Sequence, residues 1–292
     1  MNDFYAWLAT LAQRGTLPDP FQYAFFARGL LSVLVLAPLL GGMSHLVVAR
    51  RLSFFSAALG QAALTGLTIG IVIGEPLNAA YGGIFGFCFL SALIMVAVKR
   101  HADLPPDTLV GVFLSMTLGL GICLLVAVTK RFNVHQVEAV MFGSLLTVTD
   151  ADLGLLLGVA VLVTAVLAWL YNRILLDSLD PHLARVSGAP SALLEYVFVL
   201  LVTAAIVVSL KVIGALLVEA MVVVPAAAAR NLARDTRGYL GFSILTALVA
   251  GVAGLFVSSQ LQVPSGGAVV LTLSVLFFVT LVVGGVRRSV RG

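Results

Sequence analysis

Nine stretches of this chain are mainly apolar for about the length that a helix needs to cross hydrocarbon, roughly 20 residues. They run 24–49, 54–73, 78–98, 107–129, 153–171, 193–209, 212–229, 239–258 and 268–286. Several stop on paired cations: Arg50-Arg51, Lys99-Arg100, Lys130-Arg131 and Arg287-Arg288. Inside a bilayer no water satisfies a backbone amide, so only helices and closed barrels can span it. Strand signals are weak here, and the runs are too long for barrel strands. The expected fold is therefore an all-α polytopic membrane protein of about nine transmembrane helices. Residues 1–23 read as an interfacial lead-in, 24–286 as the membrane domain and 287–292 as a basic tail. Composition agrees: of 292 residues only 10% are charged, against roughly 25% in an ordinary soluble domain. The net charge of +4 belongs to loop ends that set topology and gives no reason to expect nucleic-acid binding.

Two segments break the pattern. Residues 132–150 are only partly apolar and read as a re-entrant or interfacial piece. Residues 180–190, Asp-Pro-His-Leu-Ala-Arg-Val-Ser-Gly-Ala-Pro, carry signals for both ends of a short helix. Asp180 suits an N-cap and Pro181 the first helical position. Gly188 suits the left-handed closing residue, and Pro190 bars continuation. A helix of two turns is marginal alone and must dock on something. The expectation is a cytoplasmic contact that passes force from a soluble partner into the membrane domain.

Placing that helix inside tests the map. Of the 17 Lys and Arg, alternation puts Arg50, Arg51, Lys99, Arg100, Arg173, Arg185, Arg230, Arg234, Arg237, Arg287, Arg288 and Arg291 inside. Arg14, Arg28, Lys130, Arg131 and Lys211 fall outside. The cytoplasmic excess is the one expected of a correct topology. An odd number of spans places residue 1 outside, and no cleavable signal peptide is apparent in 1–20.

The chain offers no chemistry of its own. There is no Gly-x-x-x-x-Gly-Lys-Ser/Thr phosphate loop and no His-Glu-x-x-His helix. Cys88 and Cys123 lie in apolar runs without metal or redox spacing and read as small buried hydrophobes. His45, His101 and His182 have no ligand-like neighbour one turn away and His135 has only Glu138 near it, so a metal site is weakly supported. Glu219 is the sharpest single residue, near the middle of an apolar span. An ionisable group there faces a pathway or an interior partner, or is a protonated acid hydrogen-bonded across a helix interface. Pro225 in the same span removes a backbone hydrogen bond and favours a kink near Glu219. Ser56, Gly60, Gln61 and Thr65 make part of the second span small and polar, suited to close helix packing or to lining a route.

On these residues the chain resembles the ABC-3 type permeases of bacterial importers for zinc, manganese and iron, and more distantly the siderophore and cobalamin permeases. The resemblance rests on Val48-Ala-Arg-Arg-Leu-Ser-Phe-Phe55, 180–190, Val212 to Arg230, and Leu261-Gln-Val-Pro-Ser-Gly-Gly267. It implies a permease of the cytoplasmic (inner) membrane, paired with a second copy. It also implies two ABC ATPase subunits that bind ATP and Mg, and a periplasmic or extracellular substrate-binding protein. No cofactor is implied on this chain, and zinc comes first among cargoes. Residues 180–190 become the coupling helix, with Asp180, Pro181, Ala184, Gly188 and Pro190 matching the family pattern. Arg185 would meet the ATPase, with Leu183 and Val186 filling its groove. The family's second span usually reads Phe-Phe-Gly-Asp-Ala-x-x-His; here Ala57 and Gln61 stand at the Asp and His positions. Glu219 stands where a small or apolar residue is usual, and is the candidate replacement ligand. A metal chelate as cargo and an ion-coupled carrier using Glu219 are the competing readings.

Overall fold

The computed structural model describes residues 23–75, 81–102, 104–129, 148–179 and 190–289. Among them the only regular elements are nine helices: α1 (Ala24–Ala49), α2 (Phe55–Ile73), α3 (Tyr81–His101), α4 (Pro106–Thr129), α5 (Asp150–Leu179), α6 (Ser191–Ile213), α7 (Ala215–Leu232), α8 (Thr236–Leu261) and α9 (Ser265–Ser289). All nine are long and apolar enough to cross a membrane. They coincide with the nine expected runs, with ends shifted by a few residues. The largest shift is in α5, expected over 153–171. Its 30 residues measure about 45 Å, well beyond the ~30 Å hydrocarbon. It starts early because Thr149 and Asp152 cap one another. The Asp152 amide donates to Thr149 Oγ1, and the Thr149 amide donates to the Asp152 carboxylate, both at 3.2 Å. This is a capping box with Asp in the third position. At the other end Asp177 and Ser178 continue the helix because they have partners there, described below.

Helix ends follow backbone chemistry. After α1 the Leu52 amide reaches Val47 O and the Arg51 amide reaches Val48 O. That is a Schellman closure, and Val47 and Leu52 at its two ends are both buried. Arg51 takes the left-handed position at φ 57°, where glycine is usual. Gly74 closes α2 in the same way at φ 100°, with the Glu75 amide on Gly70 O. Between α6 and α7 a single residue, Gly214 at φ 80°, breaks the helix. No side chain with a Cβ adopts that backbone readily.

The chain divides into two units. One comprises Met1–His45, Phe142–Ala160 and Lys211–Gly292. In it α7, α8 and α9 pack on one another. The buried side of α8 is Ser243, Ala247, Ala250, Gly251, Gly254, Leu255 and Ser258, small at every position but Leu255. Small residues let backbones approach where lipid gives no hydrophobic drive to association. Gly254 lies against the Val269 backbone, and Gly41 of α1 meets Ala247. The Ser243 hydroxyl donates to Gly41 O at 2.6 Å. The other unit comprises Leu46–Met141 and Val161–Leu210. There α2 packs on α3 and α4, with Gly66 crossing the backbone of Gly83. Leu64 and Leu67 pack with Ile71, Ile84 and Leu125. The Thr65 hydroxyl donates to Thr117 O at 2.9 Å.

Cysteine placement corrects one expectation. Cys88 is buried, with Sγ 3.7 Å from Leu59 O, but Cys123 is exposed. An apolar position in a membrane helix is satisfied by lipid as well as by a core, so hydropathy does not separate the two. The same reason explains Leu271, Val275, Phe278, Val282 and Val286, which line an exposed face of α9.

Gly66 and Gly86 give a matched test. A Cβ on Gly66 would lie 2.5 Å from the Gly83 carbonyl oxygen, whereas one on Gly86 meets nothing within 4 Å. Gly66→Ala is expected to destabilise the purified protein by about 1–3 kcal/mol through overpacking. Gly86→Ala is expected to be neutral or slightly stabilising, because alanine favours helix. Thermal unfolding in detergent compares the two.

Candidate functional site

Residues 180–189, with Asp180, Pro181, Leu183, Ala184, Arg185, Val186 and Gly188, lie outside the described residues, as do His135, His182 and 130–147. Pro190 is described: it is exposed, and its carbonyl accepts the Leu194 amide at 3.0 Å as α6 begins. What the structure does describe are the two flanks of 180–189, the last turn of α5 and the first turn of α6.

These flanks hold a densely paired polar cluster. Arg50, just past α1, donates from Nη2 to Asp177 Oδ2 at 2.8 Å. Its Nε donates to Ser178 Oγ at 2.8 Å, and Nη2 also reaches Ile174 O at 3.2 Å. Asp177 Oδ1 accepts the Ser191 hydroxyl of α6 at 2.5 Å. The guanidinium also lies over the Phe198 ring, 4.7 Å from its centroid. The side chains of Arg50 and Asp177 are only 8% and 6% exposed, so this is a buried ion pair. Burial lowers the Arg50 guanidinium from its usual range, and the Asp177 and Glu195 carboxylates pull it back up. Removing one partner of such a pair costs about 3–5 kcal/mol, because the other charge is left buried and alone. A second tie lies nearby: Lys99 Nζ donates to Glu195 Oε1 at 2.6 Å, and Arg100 lies over the Tyr196 ring.

Sequence reading passed over this cluster. Lys99 counted as a topology charge, and Arg50 as a topology charge and part of the Val48–Phe55 resemblance, neither as half of an ion pair. Asp177 and Glu195 carried a readable signal: each is an acid set at the edge of an apolar run, where an unpaired charge is unfavourable.

The other unit has ion pairs too. Arg28 Nε lies 2.9 Å from Asp150 Oδ1, and Lys211 Nζ lies 3.0 Å from Asp152 Oδ1. Both acids sit at the N-terminus of α5, where the helix dipole favours negative charge.

The pathway candidates fall as follows. Glu219 and Pro225 lie on α7, and Ser56 and Gln61 on α2; the two helices belong to different units. Glu219 is half-buried and has no ion pair or hydrogen bond among the described residues. It shares an incompletely covered face with Ala215, Leu216, Ala220, Val223 and Ala227. Pro225 is buried inside α7. It has no amide, and its ring crowds the carbonyl one turn back. The next amide, Ala226, donates to Ser44 Oγ of α1 at 2.9 Å. On α2, Ser56 is buried and its Oγ has no hydrogen-bond partner among the described residues; the same holds for Gln61 Oε1. Ala57 and Gln61 lie one turn apart and are both half-buried, so they share a helical face. His45 is buried, edge-on to Tyr239; His101 is exposed at the end of α3 with its Nδ1 on Ala97 O. Among the described residues no three His, Cys, Asp or Glu side chains gather into a metal-ligand cluster.

Nine apolar helices among the described residues, with ion pairs at several of their ends, define a multi-pass helical membrane protein. The ABC 3 transport family model matches residues 22–284, and the chain belongs to that family. It is 28% identical over 270 residues to the manganese import system permease protein ScaB of Streptococcus gordonii, covering 92% of this chain and 95% of that one. It is 27% identical over 253 residues to the high-affinity zinc uptake system membrane protein ZnuB of Haemophilus influenzae, covering 86% and 95%. Its fold is similar to that of PsaBC from Streptococcus pneumoniae, solved in complex with Fab. The TM-score is 0.76 at 26% identity, over 90% of this chain and 93% of that one.

The Ser44 contact predicts a stability effect. Ser44→Ala leaves the buried Ala226 amide without that acceptor and should cost about 1–3 kcal/mol. In a Pro225→Ala background the cost should shrink, since the two sites are in contact and couple. A double-mutant cycle on detergent melting temperatures measures it.

Proposed function

We propose that this chain is the transmembrane permease subunit of an ATP-driven importer for a divalent transition metal ion, manganese or zinc. The observation that carries the reading is the family match over 22–284, which spans eight of the nine described helices in full and most of α9. The named relatives import manganese or take up zinc. The chain lacks a phosphate-binding loop, so ATP and Mg would be held by a separate pair of ABC ATPase subunits. A substrate-binding protein would deliver the ion from the outer side, and a second permease copy would complete the pathway in the cytoplasmic membrane.

The ATPase would act through residues 180–190. Closure of the ATPase pair would displace two such segments together, one from each permease copy. That displacement would move α5 and α6 and change the side on which the pathway opens. Arg185 would meet the ATPase surface. The pathway itself would be lined by polar groups that hydrocarbon cannot satisfy. Glu219 fits this role, because an acid on an uncovered face of α7 costs several kcal/mol against lipid. Gln61 and Ser56 fit it through carbonyl and hydroxyl oxygens left without partners. Oxygen donors of this kind suit manganese better than the soft ligands that select zinc. The replacement of the family's Asp and His by Ala57 and Gln61 keeps a chelated metal as the second reading.

Reconstitution decides between these. The permease, with its ATPase and binding protein in vesicles, is expected to import manganese or zinc only when ATP is present. Uptake driven by a proton gradient without the ATPase would instead make the chain a secondary carrier. Accumulation of a metal chelate but not of free ions would favour the second reading. Arg185→Glu should abolish ATP-linked uptake while the permease still folds. Glu219→Gln should slow uptake by about tenfold or more, as expected if roughly 1.4 kcal/mol or more of ion stabilisation is lost, without weakening ATPase association.

A further inference from the structure

The coupling segment is continuous with α5 on one side and α6 on the other, so any force entering it leaves through those two helix ends. One carboxylate holds both. Asp177 Oδ1 accepts from Ser191 of α6, and Oδ2 accepts from Arg50 at the end of α1. Arg50 in turn spans the last turn of α5 through Ser178 Oγ and Ile174 O, and its guanidinium stacks on Phe198 of α6. Three helix ends thus meet on one buried ion pair. Lys99 and Glu195 add a fourth, fastening the first turn of α6 to the end of α3.

We infer that Asp177 and Ser191 are positioning residues for energy coupling: with Arg50 they form a clasp that locks the two flanks of residues 180–189 to each other and to α1. This rests on the reading of that segment as the ATPase contact. The physical reason is directional. Apolar contacts slide at small cost, whereas a charge-assisted hydrogen bond weakens steeply when its partners shift or tilt. With the clasp closed, a displacement of the segment must carry the ends of α5, α6 and α1 as a body. With it open, the α5 and α6 ends can part and the displacement dissipates between them. The geometry also suits the local field. Asp177 sits in the last turn of α5, where a negative charge is disfavoured, and faces the first turn of α6, where it is favoured. Its natural pull is across the gap that the clasp closes.

The test uses the full complex of permease, ATPase pair and binding protein in vesicles, with whichever of Mn(II) or Zn(II) the wild type imports. The readout is ions imported per ATP hydrolysed, measured below the unfolding temperature of each variant. Ser191→Ala removes one strand of the clasp without stranding a charge. It is expected to lower that ratio by about threefold, the loss of one hydrogen bond, with ATPase co-purification unchanged. Ser191→Thr keeps the hydroxyl and should restore the wild-type ratio. Asp177→Asn should lower it by about tenfold or more, since the paired charge is lost. If Asp177→Asn does not fold, the Ser191 pair alone decides. A merely structural role would change yield or melting temperature while leaving the ratio intact, and a wild-type ratio in Ser191→Ala overturns the proposal. Arg185→Glu separates the two levels. If it stays fully coupled, the segment is not the ATPase contact and the clasp falls with it. If it uncouples while Ser191→Ala and Asp177→Asn do not, the clasp alone is wrong.

Discussion

Hydrocarbon provides no hydrogen-bond partner, and everything in this fold follows from that deficit. Each span must satisfy its own amides, so the described structure is helical throughout. Charge is driven to the helix ends and there is paired: Arg28 with Asp150, Lys211 with Asp152, Arg50 with Asp177, Lys99 with Glu195. Serine and threonine inside the spans return their hydroxyls to the backbone carbonyl one turn back, as at Ser32, Thr117, Thr203 and Ser209. Few polar groups escape this pattern. Among the described residues, the pathway candidates Glu219, Gln61 Oε1 and Ser56 Oγ do.

Packing between helices has a different source from that of a soluble core. Lipid tails compete with side chains for apolar surface, so helices associate where backbones can come close. Gly41 on Ala247, Gly66 on Gly83 and Gly254 on Val269 are such points. Interhelical hydrogen bonds then fix the register: Ser243 on Gly41, Thr65 on Thr117, and Ser44 beneath the Ala226 amide beside Pro225. A proline in a buried helix is tolerated here because a neighbouring helix supplies a hydroxyl where the backbone ladder is disturbed.

Transport of this kind needs stiff and yielding parts in one chain. The proposed stiff parts are the ends of α1, α5 and α6, where several charge-assisted bonds converge. The candidate yielding parts are Gly214, a one-residue break between α6 and α7, and Pro225 one helix further on. Glu219 lies between Gly214 and Pro225 on α7.

The sequence by itself determined the nine spans found among the described residues, most of their limits to within a few residues, and the family. Span length and loop charge are local properties that hydrocarbon thickness translates directly into structure. Its signals for a capped helix at 180–190, in Asp180, Pro181, Gly188 and Pro190, fall almost wholly outside the described residues. It could not tell Cys88 in a protein interior from Cys123 on an exposed face, because lipid and core have the same hydropathy. Nor could it pair charges: Arg50 and Asp177 are 127 residues apart in the chain, and each looked like a topology signal or a loop acid. Only the tertiary structure decided that they meet, because bringing distant helix ends together depends on packing between spans, which local pattern does not encode.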